Sequence, residues 1–206
     1  WVDPLDSAEY VLLGRSNGTA FLDITDPVNP IYLGDLPTAT QNSTWRDIKV
    51  YNNYAFIVSE AGGHGMQIFD LTHLRDIDAP PLLFAEDAHY SGWGNAHNIV
   101  INEDTGFAYA VGVASGNLCN GGGLHVINIQ DPANPVYEAC FDTEGYTHDA
   151  QCVIYAGPDA TYVGKEICFN FNGTWMLQQR GEGDVWNGLF QFYILEQDRM
   201  PVFSDS

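Results

Sequence analysis

Hydrophobic and polar residues along this chain form many short runs of the kind found in β-strands. One unit contains such runs at residues 48–50, 54–58, 66–70 and 82–84. Glycine, asparagine, aspartate and proline lie between the runs at the spacing of turns, and no segment shows a long helical period. The pattern predicts an all-β protein built from short antiparallel strands.

A polar pair opens three of these units at a constant interval of 51 residues. The three pairs are Arg46-Asp47, His97-Asn98 and His148-Asp149. A turn is also repeated, because the Asp-Pro-Val-Asn-Pro sequence of residues 26–30 resembles the Asp-Pro-Ala-Asn-Pro sequence of residues 131–135. Such an interval indicates one supersecondary unit copied along the chain. The turn match predicts that the first unit, residues 10–36, lacks the first strand of the others.

Four antiparallel strands in a unit of about 50 residues are typical of one blade of a β-propeller. A β-sandwich also contains many short strands, but it would not predict a fixed strand order at a fixed period. We therefore predict a single β-propeller domain, or a fragment of one, over residues 1–206. Its four blades would cover about 1–40, 41–90, 91–142 and 143–206. Either the C-terminus closes a small ring, or further sequence or another chain completes a larger one.

Several motifs together resemble the LVIVD-repeat, choice-of-anchor B proteins. They lie at residues 45–51, 54–60, 64–71, 96–102, 105–110, 121–125 and 146–152. The resemblance covers roughly residues 10–175, and the segment from about Trp175 to Ser206 departs from it. It implies a secreted or surface-anchored β-propeller, and it implies no general activity.

The chain is strongly acidic, with 27 Asp and Glu against 7 Lys and Arg and a formal net charge of −20. This balance excludes the basic surface that nucleic acids require, and it disfavours an anionic membrane surface. No apolar run reaches the length of a membrane-spanning helix. The charge is compatible with divalent cations. Because the sequence starts at Trp1 rather than Met, we expect a processed precursor or a fragment.

Four cysteines and three N-glycosylation sequons favour an oxidising, extracellular location. The sequons begin at Asn17, Asn42 and Asn172. The predicted strand order brings the cysteines together as Cys119–Cys140 and Cys152–Cys168, one of three possible connectivities. The alternative is a tetrathiolate zinc site, although no C-x₂-C pair supports it.

In a blade of this type the first strand starts, the second ends and the third starts at one edge. Arg46, His97 and His148 would therefore lie near one mouth of the central channel. Imidazole and carboxylate groups can together bind a divalent cation such as calcium or zinc. The candidate ligands are Asp47, Glu60, His64, His97, His148 and Asp149, with Glu166 as a counterpart of Glu60.

The same side chains have a structural interpretation, since propellers use buried polar groups to join neighbouring blades, and repetition favours this role. Arg46 cannot bind a metal and would pair with a carboxylate. We therefore expect a non-enzymatic glycoprotein that binds or assembles with protein partners or further copies. The alternatives are a metal-dependent hydrolase or lactonase and a carbohydrate-binding module that uses loop Trp and Tyr residues. Trp93, between two glycines, would be an exposed anchor or a plug in the channel mouth.

Overall fold

The computed structural model describes residues 1–113, 118–119, 122–142 and 145–172 and the backbone of residues 190–195. This part of the chain is all-β, with one short 3₁₀ helix at Leu71–Leu74. The strands are β1 (Tyr10–Arg15), β2 (Gly18–Asp23), β3 (Ile31–Pro37), β4 (Arg46–Tyr51), β5 (Tyr54–Ser59), β6 (Met66–Asp70), β7 (Leu82–Leu83), β8 (Ala88–Tyr90), β9 (Asn98–Asn102), β10 (Phe107–Val111), β11 (Leu124–Asn128), β12 (Val136–Phe141), β13 (Thr147–Ile154), β14 (Glu166–Asn172) and β15 (Phe190–Leu195).

The strands form four successive sheets. Sheet I has the order β1-β2-β3-β7, sheet II β4-β5-β6-β8, sheet III β9-β10-β11-β12 and sheet IV β13-β14-β15. Neighbouring strands are antiparallel except β3 and β7, which are parallel. The predicted all-β class and the repeated antiparallel unit are therefore confirmed. Among the described residues, no packing contact comparable to those between successive sheets joins β13 back to β1.

The expected fourth strand of the second unit was assigned to the wrong sheet. Residues 82–84 were predicted to complete sheet II, but β7 pairs with Gly34 and Asp35 of β3 in sheet I. Gly34 has a φ of +144°, and a Cβ at this position would collide with the Leu82 carbonyl oxygen. Glycine therefore permits the close approach of β7. The fourth strand of sheet II is instead β8, which pairs with β6.

In the described part of the chain, sheet I has no strand equivalent to β4, β9 and β13. Strand β1 packs against β4, just as β5 packs against β9 and β10 packs against β13. The first strands of sheets II, III and IV make a different set of contacts, in which β9 packs against both β4 and β13. Strand β1 is therefore the second strand of its unit, as the repeated turn predicts. Tyr10, at the start of its inner edge, exchanges two backbone hydrogen bonds with Trp1, and no further pairing of this edge is found among the residues that the structure describes.

Apolar layers hold the successive sheets together. Sheets I and II enclose one layer that includes Phe21, Leu36 and Phe69. A second layer lies between sheets II and III, and a third, with Tyr109, joins sheets III and IV. Because an antiparallel strand places alternate side chains on opposite faces, the short alternating runs supply these layers.

Both predicted disulfides are present. Cys152 and Cys168 are directly opposite each other on β13 and β14, and Cys119 is bonded to Cys140. No cysteine is free, which rules out the tetrathiolate zinc site.

A cluster of aromatic side chains packs at the end of the apolar layer between sheets II and III. Trp93 is only 3% exposed, and its ring centroid lies 4.8 Å from that of His125. Tyr90 Oη is 2.9 Å from His125 Nε2, while Trp93 Nε1 and His125 Nδ1 have no hydrogen-bond partner. Trp93 is therefore a buried packing residue and not an exposed anchor. Burial lowers the pKa of His125 to about 4.

We expect His125 to make the fold sensitive to acid. Because the pKa of His125 is lower in the folded protein than in the unfolded chain, its contribution to stability is complete above about pH 6.5. It is lost as the pH falls towards 4, by about 3 kcal/mol at most. Urea unfolding at pH 7, 5.5 and 4.5 measures the loss. His125→Phe should unfold with a smaller loss of stability over this range.

The matched control is His73→Gln, since His73 is exposed and pairs with Asp87. It should keep the wild-type pH dependence. Identical slopes for the wild type and His125→Phe would contradict the prediction.

Candidate functional site

The starts of β4, β9 and β13 bring polar side chains to one end of sheets II, III and IV, which we call the polar rim. Arg46 starts β4 opposite Ser59, the last residue of β5. His97 precedes β9 and donates its backbone N–H to the Val111 carbonyl at the end of β10. His148 is the second residue of β13. The rim thus gathers residues from three sequence-distant units.

Glu60, His97 and His148 form the central cluster of the rim. Glu60 Oε1 lies 2.5 Å from His97 Nδ1, which joins sheet II to sheet III. The rings of His97 and His148 have centroids 4.5 Å apart, which brings sheet IV into the same cluster. Because a carboxylate only accepts hydrogen bonds, His97 Nδ1 carries the proton towards Glu60.

Tyr146 is a further member that no prediction assigned. Its ring centroid is 6.3 Å from that of His148, and burial together with the Glu60 charge raises the pKa of its phenol. Gly112, with a φ of +61°, lies against it. A Cβ there would be 2.6 Å from the His97 Cβ and 2.7 Å from the Tyr146 hydroxyl, so only glycine fits. The sequence offered one indication that Tyr146 belongs to the cluster, because Tyr146 lies two residues before His148.

His64 is paired with Arg46 and stands apart from this cluster. Arg46 Nη1 donates to His64 Nε2 at 2.9 Å, and His64 Nδ1 donates to the Gly65 carbonyl at 3.1 Å. Both ring nitrogens are therefore engaged, with the ring neutral. Burial is the main reason that the pKa of His64 is lowered, and the Arg46 charge adds to it.

The Arg46 side chain joins sheet II to sheet I. Its other two hydrogen bonds go to the Arg15 carbonyl and to Thr38 Oγ1. Burial lowers the pKa of the guanidinium. A carboxylate partner was expected, but no ion pair of Arg46 is found among the described residues. Neutral oxygens and an imidazole nitrogen accept its hydrogen bonds instead.

Asp47 and Asp149 hold equivalent places in β4 and β13 but have different surroundings. Each accepts a hydrogen bond from the backbone N–H of the residue that follows it. Asp47 also accepts from the backbone N–H of Ile99 at 3.1 Å and from Lys49, so it joins β4 to β9. Asp149 is exposed on the last sheet. Asp47 therefore has the structural role expected of this repeated position, since it joins neighbouring sheets, whereas Asp149 does not join its sheet to another one through the hydrogen bond described here.

Glu166 is not a counterpart of Glu60. It begins β14 opposite Ile154, whereas His148 lies near the other end of the same hairpin. The Glu166 carboxylate is almost fully buried and accepts hydrogen bonds from Asn102, Thr105 and Tyr109. Its charge raises the pKa of Tyr109, after burial as the main cause. Glu166 therefore joins sheets III and IV at the end of the sheets opposite the rim.

Among the described residues, one group of three potential metal ligands lies within 4.8 Å, formed by Cys119, Cys140 and Asp142. The two sulfur atoms are bonded to each other, so they cannot act as thiolate ligands. The six residues predicted to bind a metal thus divide into the central cluster, the Arg46–His64 pair and the two aspartates. The central cluster offers an imidazole held by a carboxylate, an exposed imidazole and a neutral phenol.

Comparison of the chain with protein-family models gave no match, and comparison with curated proteins gave no significant match. The function of the polar rim must therefore be inferred from the side chains of the rim and their contacts.

We expect Asp47→Ala to destabilise the protein by about 1–3 kcal/mol. The substitution leaves the buried N–H of Ile99 without an acceptor. The matched substitution is Asp149→Ala, which removes the same local hydrogen bond but no bond to a neighbouring sheet. It should cost less than about 1 kcal/mol. Urea unfolding of both variants measures the difference, and equal losses would show that Asp47 has no role between sheets.

Proposed function

We propose that this chain is a non-enzymatic, extracellular β-propeller glycoprotein that acts as a binding and assembly module. Its partners are further copies of the chain, which meet it at the inner edge of β1. The unpaired part of that edge is the observation that carries the proposal. Three further features support it: the outward face of sheet I, the two disulfides and the positions of two sequons.

Among the described residues, backbone groups on the inner edge of β1 have no hydrogen-bond partner beyond Tyr10. Tyr10 points its N–H and C=O to this edge, where both bond to Trp1. Because backbone groups alternate along a strand, Leu12 and Gly14 point to the same edge, beyond the reach of Trp1 and Val2. In sheet II the equivalent edge of β5 is covered by β4. Unpaired edges of this kind are sites at which a strand of another polypeptide adds.

The outward face of sheet I is apolar where it would meet another sheet. Val11, Leu22 and Tyr32 form one cross-strand row, and Leu13 lies in the next row opposite Ala20. Leu13 is 51% exposed and Tyr32 39% exposed, although the opposite face of the same strands is buried against sheet II. A further sheet stacked on this face would bury these side chains as the existing layers bury theirs.

The net charge of −20 sets the conditions for association. Two copies of the chain repel each other at low ionic strength, and salt screens this repulsion. Association through an apolar face and a strand edge should therefore strengthen as salt is added.

The secreted location is supported by the disulfides, since such bonds persist in oxidising compartments. Within the part of the chain that the structure describes, no helix is long and apolar enough to cross a membrane. Asn17 lies in the exposed β1–β2 turn and Asn42 in an exposed loop. Asn172 is half-buried, and its side chain accepts a hydrogen bond from Thr147.

We expect glycans on Asn17 and Asn42 and little or none on Asn172. Asn172 is half-buried at the end of β14, where it pairs with Thr147 of β13, so it is less accessible to glycan transfer than the exposed Asn17 and Asn42. Peptide mass spectrometry of the chain secreted from eukaryotic cells, with and without enzymatic deglycosylation, measures occupancy at each site. Full occupancy of Asn172 with an empty Asn17 would contradict the prediction.

We expect Gly14→Pro to prevent self-association while the monomer keeps its fold. Proline removes the edge N–H, and an edge strand tolerates proline. Size-exclusion chromatography with light scattering, over a range of salt and protein concentrations, measures the assembly.

The matched control for this variant is Gly14→Ala. It keeps the N–H, and its Cβ would lie 3.6 Å from the Arg46 side chain, an ordinary contact. It should assemble like the wild type. A wild-type chain that stays monomeric at all salt concentrations, with slow hydrogen exchange at Leu12 and Gly14, would overturn the proposal.

A further inference from the structure

We propose that His97 and His148 bind a divalent transition-metal ion of the zinc class, with the Glu60 carboxylate held against His97 outside the ligand set. This site is separate from the β1 edge and does not depend on the assembly function. Of the six metal ligands expected from the sequence, the proposed site keeps two, His97 and His148. Of the two metals expected, it favours zinc over calcium.

The Glu60 contact prepares His97 as a ligand. Glu60 Oε1 accepts a hydrogen bond from His97 Nδ1 at 2.5 Å, which leaves Nε2 as the ring nitrogen that can bind another partner. A carboxylate that holds the far nitrogen of a histidine is the usual outer partner of a zinc-bound imidazole, because it fixes the ring and raises its basicity. The side chain of His97 is 15% exposed, so the ring is held in place at the edge of solvent.

His148 supplies the second nitrogen. Its ring contacts those of His97 and Tyr146, and no hydrogen bond or ion pair of His148 is found among the described residues. The ring centroids of His97 and His148 are 4.5 Å apart. Two imidazole nitrogens bound to one zinc ion at about 2.0–2.1 Å each lie about 3.4 Å apart, which is compatible with ring centroids 4.5 Å apart.

The donor set decides the class of metal. Calcium binds six to eight oxygen atoms, whereas zinc, copper and nickel accept imidazole nitrogen. The one carboxylate of the cluster, Glu60, is engaged with His97, and Asp47 is engaged with backbone and Lys49. Two nitrogens with water in the remaining positions therefore suit a zinc-class ion. The negative charge of the chain also raises the local concentration of cations.

Titration of the tag-free, metal-stripped chain with Zn²⁺ tests the site, by calorimetry at pH 7.5 in excess Ca²⁺. Co²⁺ serves as a spectroscopic probe in a parallel titration, through its visible absorption. The wild type should bind one equivalent of either ion in a saturable manner. His148→Ala should lose this binding without loss of stability, because the side chain is exposed. Glu60→Gln should weaken it about 10–100-fold.

The matched controls are His73→Ala and His89→Ala, which remove histidines that pair with Asp87 and Glu86 and do not belong to the central cluster. Both should bind zinc like the wild type. The proposal would be overturned by unchanged binding in His148→Ala. It would also be overturned by weak binding to many sites that is equal in all variants, since that behaviour belongs to scattered surface carboxylates.

Discussion

The stacking of each sheet on the next through a buried apolar layer is the constraint on which the rest of the structure depends. A short antiparallel sheet cannot bury two faces by itself, so each unit needs a neighbour on both sides. Sheets II and III have two neighbours each, and their central strands are almost completely buried. Sheet I has one neighbour among the described residues, and Val11, Leu13 and Tyr32 on its outward face are exposed as a direct result.

Polar side chains then fix how the layers meet. Asp47 joins β4 to β9 at the rim, and Glu166 joins sheet IV to sheet III at the opposite end. Arg46 joins sheet II to sheet I through a carbonyl and a hydroxyl. These groups lie where a sheet edge would otherwise leave buried polar atoms unpaired, and such atoms are costly. The polar pair that opens each unit therefore makes different contacts in each sheet. Its residue types vary because the groups that they contact differ.

The period of 51 residues was enough to predict the strands, their order within a unit and the two disulfides, because these depend on local alternation and on hairpin geometry. It could not predict that β7 would leave sheet II and pair with β3. That choice depends on Gly34, whose missing side chain lets the Leu82 backbone approach, and the hydrophobic pattern of residues 82–84 fits either edge. Glu166 was misplaced for a similar reason, since a strand pattern does not show at which end of a hairpin a residue lies.

The rim was predicted as a location but not as a set of contacts. Side chains that share a rim can point towards different sheets, and the register decides which of them meet. His64 turns to Arg46, whereas Glu60 reaches His97 of the next sheet. The histidine on sheet IV, His148, has no following sheet to contact among the described residues, and its ring turns back to His97. A position that serves as a tie in the interior units therefore becomes a free imidazole at the end of the stack. Within the described residues, the two ends of the stack therefore differ from its interior: part of the β1 edge has no partner at one end, and the His148 imidazole has no polar partner at the other.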